Sequence, residues 1–317
     1  MSNIIGHKRQ QEYFSKILSK GVFSHAYLFY GPAHVGKRMF AEEVAKGLLC
    51  EKGRRVLGGC GTCRSCERVA SGAHENVVRL GREETLVSKK EKRKEIPIED
   101  IRELRRMASF AVSRDSWRVV IIDEAERMSQ EAANAFLKLL EEPPQRTVFF
   151  LITSELESML ATIRSRTQGV YFSPVREADI QAFLESEKIP SGRKEEIIRA
   201  ADNRPGIAVS FVRSEEEFSR GEKRARGVAD ALRQGVPFFF PFAESVSRDD
   251  DERCRVLEEV VRIMRRRLQD AEDPVGRMGI ARRIKAIVRI SDVMARTNVN
   301  PRLSMDRIFF EGSEKME

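Results

Sequence analysis

A glycine-rich loop between a buried strand and a helix is the strongest constraint in this sequence. The loop reads GPAHVGKR over residues 31–38; it follows the apolar run AYLFY and precedes MFAEEVAKGLL, where apolar residues recur at helical spacing. This order predicts a strand, a loop and a helix whose first turn can hold phosphate through backbone N–H groups. An ordinary glycine-rich turn is the alternative interpretation.

The last residue of this loop departs from the phosphate-binding pattern. Gly31 and Gly36 would let backbone N–H groups approach phosphate, and Lys37 would reach the outer phosphates. The pattern usually continues with Ser or Thr, whose hydroxyl holds magnesium, but Arg38 stands there. Arginine cannot ligate a cation, so magnesium would lose a protein ligand; we expect a loop that can still bind phosphate, as in ATP, but that holds Mg²⁺ poorly and hydrolyses inefficiently.

Two acidic residues close another predicted strand. The run WRVVIIDEAERM is rich in Val and Ile and contains Asp123 and Glu124 at its end. They would lie at the carboxyl end of the strand, where open parallel sheets place their ligands. In an ATPase the first acid holds magnesium and the second polarises the attacking water. Acids that merely cap the next helix are the alternative.

The segment after these acids predicts a helix. SQEAANAFLKLLEEPP would be capped by Ser129 and stopped by Pro143. Its predicted apolar face comprises Ala132, Phe136, Leu139 and Leu140.

Four clustered cysteines indicate a metal site. Cys50 is followed after nine residues by CGTCRSC, which places Cys60, Cys63 and Cys66 at two-residue intervals. Four thiolates suit a closed, structural, tetrahedral zinc site, whereas two close intervals also resemble an iron–sulfur run. Unligated thiols are the third interpretation. Tight turns between the cysteines can use the glycines found there, Gly58, Gly59 and Gly61.

The cysteine segment is a poor candidate for contacting a nucleic-acid base. CEKGRRVLGGCGTCRSC contains no aromatic residue that could stack on a base, so a structural or assembly role is predicted. His74 lies eight residues past Cys66 and is not needed as a ligand. The fifth cysteine, Cys254, is predicted to be an ordinary helix residue.

Length and charge set broader limits. A chain of 317 residues predicts two or three domains, and a net charge of +8 spread along the chain favours acidic partners without defining a site. No stretch approaches the about 20 consecutive apolar residues that span a bilayer, and MSNIIGHKRQ lacks the apolar region of a signal peptide. We therefore expect a cytoplasmic location, where clustered cysteines more often bind metal than form disulfides.

The apolar patterns predict three domains. Residues 1–172 alternate apolar runs with amphipathic helices, as in a parallel sheet covered by helices, with AYLFYG, WRVVIID, TVFFLITS and GVYFSPV as strands. Residues 173–210 contain three short helical patterns, and residues 211–317 contain longer ones. The charged run SKKEKRKE at 88–95 is predicted to be a solvated loop tip. Two apolar stripes mark the last region: Leu257, Val260, Val261, Met264 and Leu268, and Ile280, Ile284, Ile287 and Val288.

The order of several motifs resembles that of a known family. From residue 4 to about 210 the chain is similar to bacterial clamp-loader subunits of DNA polymerase III, members of the AAA+ ATPases. The resemblance rests on IIGHKRQQEYF, SHAYLFYGP, the four cysteines, IPIEDIREL, VVIIDEAERM, ANAFLKLLEEPP, LATIRSRTQ and RPGIAVSF.

This resemblance implies an α/β RecA-like AAA+ domain over residues 1–172, with a zinc-binding insertion near 50–66. A three-helix lid over 173–210 and an all-α collar for oligomerisation over 211–317 would follow. Within the family, the chain resembles the delta prime subunits more than the ATP-hydrolysing gamma/tau subunits.

Three departures favour that assignment. Arg38 replaces the magnesium Ser or Thr, and the lid motif NRPGIAV sets Gly206 where hydrolysing subunits carry a phosphate-sensing arginine, with Arg204 two residues earlier. The chain also ends after the collar, without the long extension of tau.

One catalytic part of the family motif is retained. The family's Ser-Arg-Cys motif reads Ser165, Arg166 and Thr167. In the family this arginine reaches into the neighbouring subunit's ATP site, where its guanidinium can neutralise charge on the transferred phosphoryl group. An arginine that pairs with a carboxylate of its own chain is the alternative.

The resemblance implies a rigid subunit that does not hydrolyse ATP. It would offer Arg166 to a gamma/tau ATP site, assemble with gamma/tau and delta subunits, and act on the sliding clamp and primer-template DNA through the complex. Two other hypotheses remain: a chain that hydrolyses ATP with Lys37, Asp123 and Glu124, and a zinc-containing module that binds DNA directly.

Overall fold

The computed structural model describes residues 4–53, 55–82, 84–87, 95–110, 116–297 and 299–313. These residues divide into two compact units, Met1–Val209 and Ser210–Glu317. The predicted loop tip SKKEKRKE lies, apart from its last residue, outside the described residues.

The first unit is an α/β unit built on a five-stranded parallel sheet. The strand order is β2-β3-β4-β1-β5, and every pairing is parallel. In chain order its helices and strands are α1 (Lys8–Lys20), β1 (Ala26–Tyr30), α2 (Lys37–Leu49), α3 (Arg64–Ala70), β2 (Val77–Leu80), α4 (Ile98–Ser109), β3 (Arg118–Ile122), α5 (Gln130–Glu141), β4 (Thr147–Thr153), α6 (Ala161–Arg164), β5 (Gln168–Tyr171), α7 (Glu177–Ser186), α8 (Ser191–Ala201) and α9 (Pro205–Arg213), the last of which runs past the boundary between the units.

The four predicted strands are present, and the structure adds a fifth. β3 and β4 are buried along their whole length, as expected for parallel strands with helices on both faces. β2 has only four residues, VVRL, and one of them is Arg79. Its apolar pattern is therefore too short to distinguish a strand from a loop in the sequence. It pairs with β3 in register from Val77 and Val119 onwards.

The two faces of the sheet bury separate apolar clusters. α1 and α2 cover one face with an aromatic cluster in which the rings of Phe14, Phe29 and Phe40 lie 5.4–5.8 Å apart. α4 and α5 cover the other face with residues such as Leu104 and Phe136.

The predicted helix after the acidic strand is confirmed. Ser129 caps α5 by accepting a hydrogen bond from the backbone of Ala132, and the helix ends at Glu141, before Pro143. Its predicted apolar residues, Ala132, Phe136, Leu139 and Leu140, are all buried.

The second unit is helical in its described part. Its further helices are α10 (Glu215–Gln234), α11 (Val236–Val246), α12 (Asp250–Asp270), α13 (Pro274–Arg296) and α14 (Pro301–Gly312). Leu257, Val260 and Met264 on α12 enter the core as the stripe predicts. Val288 on α13 does not enter the core, because its side chain is 42% exposed. The face of α13 that packs against other helices contains Ile287 but does not extend to Val288, so the prediction that Val288 belongs to the apolar stripe was wrong. Among the described residues, no helix is long and apolar enough to cross a bilayer.

Candidate functional site

The glycine loop lies at the carboxyl edge of the sheet, between β1 and α2. Gly31 has φ +138°, and a Cβ there would lie 2.0 Å from the carbonyl oxygen of Phe172, at the end of β5. Gly36, just before α2, has φ +97°. Both backbone conformations favour glycine, so the two loop glycines are needed for the turn itself.

The chain's own donors occupy carbonyl groups of the loop. The ammonium of Lys37 is buried and donates to the carbonyl oxygens of Gly31 at 2.7 Å and Pro32 at 2.6 Å. The ring of His7 donates through Nε2 to the carbonyl oxygen of Val35 at 2.7 Å, and burial lowers its pKa. These hydrogen bonds therefore connect the loop to its own residues and to the start of the chain.

The start of α9 also packs against the loop. The backbone N–H of Gly206 donates to the carbonyl oxygen of His34 at 2.8 Å, and a Cβ on Gly206 would lie only 2.7 Å from that oxygen. Arg204 directs its Nε to the carbonyl oxygen of Ala201 in the preceding helix. Any side chain at position 206 must move α9 away from the loop.

We expect Gly206→Ala to destabilise the protein, with a cost of about 1–3 kcal/mol from overpacking against backbone. Gly192→Ala on α8 is the matched control, because a Cβ there has no heavy atom within 4 Å. The control should raise stability by up to about 1 kcal/mol, as alanine favours a helix. Chemical denaturation of both variants measures the difference, and equal effects would contradict the close packing of α9.

The two acids of the predicted strand end lie where expected, directly after β3. Glu124 adopts a left-handed backbone conformation with φ 49°, and its carboxylate lies 3.3 Å from the Nε of Arg127. Burial raises the pKa of Glu124 above its ordinary value. The Oδ2 of Asp123 lies 3.6 Å from the guanidinium of Arg38. Both acids therefore lie beside arginines of the same chain.

Arg38 contacts carboxylates from several elements. Its Nη2 donates to Glu84 at 2.6 Å, and its Nε lies 3.6 Å from Glu42 on α2. Burial lowers the pKa of Arg38, but the carboxylates of Glu84, Asp123 and Glu42 outweigh it, so the pKa is raised. The residue that replaces the expected magnesium ligand is thus held by acids.

The four predicted metal ligands come together. The Sγ atoms of Cys50, Cys60, Cys63 and Cys66 all lie within 4.8 Å of one another. Sulfurs bound at about 2.3 Å to one tetrahedral ion lie about 3.8 Å apart, and the separation between Cys60 and Cys66 is 4.0 Å. The donor set and its size therefore fit a single soft metal ion.

Backbone turns orient these thiols. The N–H of Cys63 donates to the sulfur of Cys60 at 3.3 Å, and Cys63 caps α3 by accepting from the N–H of Cys66. A backbone hydrogen bond from Thr62 is the main reason that the pKa of Cys60 falls to about 6, while burial raises that of Cys66 to about 12. The three glycines here, Gly58, Gly59 and Gly61, all have positive φ, as the tight turns require.

His74 supports this cluster without joining it. Its Nε2 lies 2.8 Å from the hydroxyl of Ser65, which donates to the carbonyl oxygen of Leu49, and its Nδ1 accepts from the backbone of Asn76. Burial lowers the pKa of His74. A neutral His74 thus connects α3 to the end of α2.

Arg166 lies at the edge of the sheet formed by the amino ends of the strands, opposite the carboxyl edge that holds the glycine loop. It precedes β5 by two residues, whereas the loop follows β1, the parallel partner of β5. Its guanidinium contacts the carboxylate of Glu141 at 2.9 Å and the carbonyl oxygen of Thr162 at 3.2 Å. Arg166 thus pairs with a carboxylate of its own chain, as the alternative interpretation has it, and its side chain remains 39% exposed.

The acidic partners of Arg38 and Arg166 were not predicted from the sequence. Glu84 lies 46 positions from Arg38, and Glu141 lies in another helical segment from Arg166. No local spacing connects either pair. The segment after β2 comes near the glycine loop, and the end of α5 comes near Arg166, only in the folded chain.

Comparison with known proteins indicates the same family as the order of the sequence motifs. The family described as DNA polymerase III, delta subunit, matches residues 6–176. The chain is 38% identical over 157 residues to DNA polymerase III subunit delta' of Pseudomonas aeruginosa, which covers 50% of this chain and 45% of that one. It is 32% identical over 219 residues to subunit tau of Bacillus subtilis, which covers 66% of this chain and 37% of that one.

Among solved structures, a DNA polymerase III gamma subunit-related protein from Thermotoga maritima is similar, with 19% identity and a TM-score of 0.46. That alignment covers 96% of this chain and 99% of the other. The chain spans less than half the length of the two relatives from Pseudomonas and Bacillus. Since the family match extends over more than half of the 317 residues, the chain belongs to the DNA polymerase III delta subunit family.

Proposed function

We propose that this chain is a delta prime type subunit of a clamp loader, which does not hydrolyse ATP itself and supplies Arg166 to the ATP site of a neighbouring subunit. In that role it acts during the loading of a sliding clamp onto primed DNA. Its partners are gamma/tau and delta subunits.

The placement of Arg166 carries this proposal. β5 alone has four residues, about 13 Å of extended chain, and it separates Arg166 from the edge that holds the glycine loop. Arg166 therefore cannot serve the loop of its own chain. An exposed guanidinium at this edge is suited to a phosphate group that another molecule presents.

The contacts at the glycine loop support the absence of hydrolysis in this chain. Lys37 donates to loop carbonyls, Arg38 lies beside Asp123, and Arg127 lies beside Glu124. An ATPase uses the loop lysine and both acids on nucleotide, magnesium and water. Here the lysine is engaged by loop carbonyls, and each acid lies beside an arginine of this chain.

The cysteine cluster is proposed to hold a structural zinc ion. The ligands would be Cys50, Cys60, Cys63 and Cys66, whose close sulfurs suit one ion better than a cluster in which thiolates bind separate irons. Zinc would supply a crosslink between the end of α2 and the start of α3. All four protein positions are filled by thiolates, so this site has no open position for chemistry.

The remaining parts fit the same proposal. α7, α8 and α9 would form the lid, and the helices from α10 to α14 the collar through which subunits assemble. The proposed lid begins at residue 173 and the proposed collar at residue 211.

An ATPase assay on the isolated, zinc-loaded chain tests the absence of hydrolysis. We expect magnesium-dependent turnover no greater than that of the Lys37→Ala variant, because the loop lysine and both acids are engaged within the chain. The variant is the matched control, since it removes the residue that would contact phosphate. Turnover that Lys37→Ala abolishes would instead establish a gamma/tau-type subunit, a candidate favoured by the similarity to subunit tau of Bacillus subtilis.

A further inference from the structure

We propose that the hairpin formed by α12 and α13 carries a binding surface for the phosphate backbone of duplex DNA. This basic surface comprises six exposed side chains: Arg265, Arg266, Arg277, Arg282, Lys285 and Arg289. The inference rests on the proposed function for the presence of DNA, and it deepens that function by naming a surface of this chain that contacts the duplex.

Positive charge is concentrated in this short part of the chain. Residues 263–290 contain eight arginines or lysines and three acids, so they carry a net charge of +5, whereas the whole chain carries +8. The three acids lie at the end of α12 and in the turn before α13, and residues 274–291 contain none. More than half of the net charge therefore lies in this hairpin, not evenly along the sequence as expected.

The cations of the basic surface form no ion pair with an acid in the described part of the chain. Their neighbours Arg267 and Arg283 donate to carbonyl oxygens at the end of α14, those of Gly312 at 3.0 Å and Ser313 at 3.2 Å. Other arginines of the second unit do pair with carboxylates, namely Arg220, Arg224, Arg226, Arg233, Arg253, Arg255 and Arg262. The basic surface thus differs from these internal pairs, because an anion from outside can neutralise it.

The spacing of the cations on α13 suits an anion that repeats. Arg282, Lys285 and Arg289 lie within about 60° of one another around the helix axis, and successive members are about 5 Å apart along it. Arg277, near the start of α13, and two arginines near the end of α12 lie on either side of the three-residue turn and add positive charge beyond this row. Several cations in a row fit the regularly spaced phosphates of a DNA strand better than they fit one small anion.

The residue types favour duplex DNA over other polyanions. Residues 263–290 contain no Phe, Tyr or Trp, whereas proteins that hold single strands add aromatic stacking to their phosphate contacts. The core of a protein–protein interface is depleted of charged residues, so a row of exposed cations is a poor match for one. Arginine and lysine side chains contact the backbone of duplex DNA without reading its sequence. We therefore expect binding that does not depend on sequence.

Fluorescence anisotropy of a labelled duplex of mixed sequence, titrated with the full-length, zinc-loaded chain, tests this inference. The wild-type chain should bind with a Kd of about 10⁻⁴–10⁻⁶ M near physiological salt, and log K should fall linearly with log salt. In the triple variant Arg282→Gln, Lys285→Gln, Arg289→Gln, the magnitude of that slope should decrease by about 2–3, because each phosphate contact contributes about 0.9. Affinity at low salt should fall by at least about tenfold.

The matched control is the triple variant Arg220→Gln, Arg226→Gln, Arg233→Gln on α10. It removes the same number of positive charges from a helix surface, but each of these arginines already pairs with an acid of its own helix. Its salt slope should change by less than about 1. Circular dichroism checks that both variants fold. Should the α13 variant not fold, Lys285→Gln alone should still lower the slope by about 1.

The inference is overturned if the wild-type chain does not bind the duplex, or if the two triple variants lose slope equally, since overall charge would then explain the binding. Tighter binding of a single strand of the same length, or of polyglutamate, would also overturn it, because the surface would then suit another partner. The titration requires neither ATP nor another subunit. Its failure therefore leaves the role of Arg166 untouched, and a failed ATPase or Arg166 experiment does not alter whether this surface binds DNA.

Discussion

Replacing Arg166 with alanine in a reconstituted clamp loader is expected to lower ATP turnover at the adjacent site by roughly 10³-fold or more. An arginine supplied in trans has an effect of about 10³–10⁵ on phosphoryl transfer, because its guanidinium stabilises charge that develops in the transition state. Clamp loading should fall with it. The measurement is clamp- and DNA-stimulated ATPase of the complex, separated into kcat and KM.

Arg164→Ala is the matched control for this experiment. Arg164 lies two residues earlier at the end of α6 and makes an ion pair of 3.0 Å with the exposed Glu157. Its removal should leave turnover nearly unchanged, because exposed ion pairs contribute only about 0–1 kcal/mol. A loss that is equal in Arg164→Ala and Arg166→Ala would point to a damaged edge and would contradict the proposed role.

Glu141 provides a second check on the same arginine. Glu141→Ala keeps Arg166 but removes the carboxylate that holds its guanidinium at 2.9 Å. Since this pair is exposed, the expected change in turnover is far smaller than that of Arg166→Ala. If Glu141→Ala were as inactive as Arg166→Ala, the carboxylate and not the guanidinium would be the essential group.

The parts of the site that could be predicted are those with local spacing. A loop with glycines five residues apart, acids at the end of a β-branched run and three cysteines at two-residue intervals each have a pattern that short-range geometry imposes. Gly31 illustrates why: its position requires φ +138° at the point where Phe172 approaches, and only glycine adopts this readily.

The contacts that determine the roles of these groups could not be predicted from local spacing. Arg38 could be recognised as the wrong residue for magnesium, but Glu84, which pairs with it, comes from the segment after β2, a strand of four residues without a clear pattern. β2 lies beside β3 only because of the sheet order, which brings Glu84 near Asp123. The prediction that Val288 belongs to an apolar stripe was wrong for a related reason, because the exposure of its side chain depends on which neighbouring helices cover α13.

Disrupting the cysteine cluster should have the largest effect on the structure of the first unit. Purified protein is expected to contain about one zinc ion per chain, held by four thiolates, and Cys63→Ser should weaken zinc binding by at least about 100-fold. The loss of a ligand should exceed the 10–100-fold that changes outside the ligand shell cause. Elemental analysis and a competition titration with a chelator measure these quantities.

The choice of Cys63 separates metal binding from helix capping. Its sulfur accepts a hydrogen bond from the backbone of Cys66 at the start of α3, and serine is itself a favoured residue at that position. The variant should therefore retain the helix cap and lose the metal, so that amides of α3 exchange faster with solvent. Cys254→Ser, an exposed cysteine on α12, is the matched control and should keep both zinc and protection. Iron with inorganic sulfide, or unchanged zinc content in Cys63→Ser, would refute the proposed zinc site.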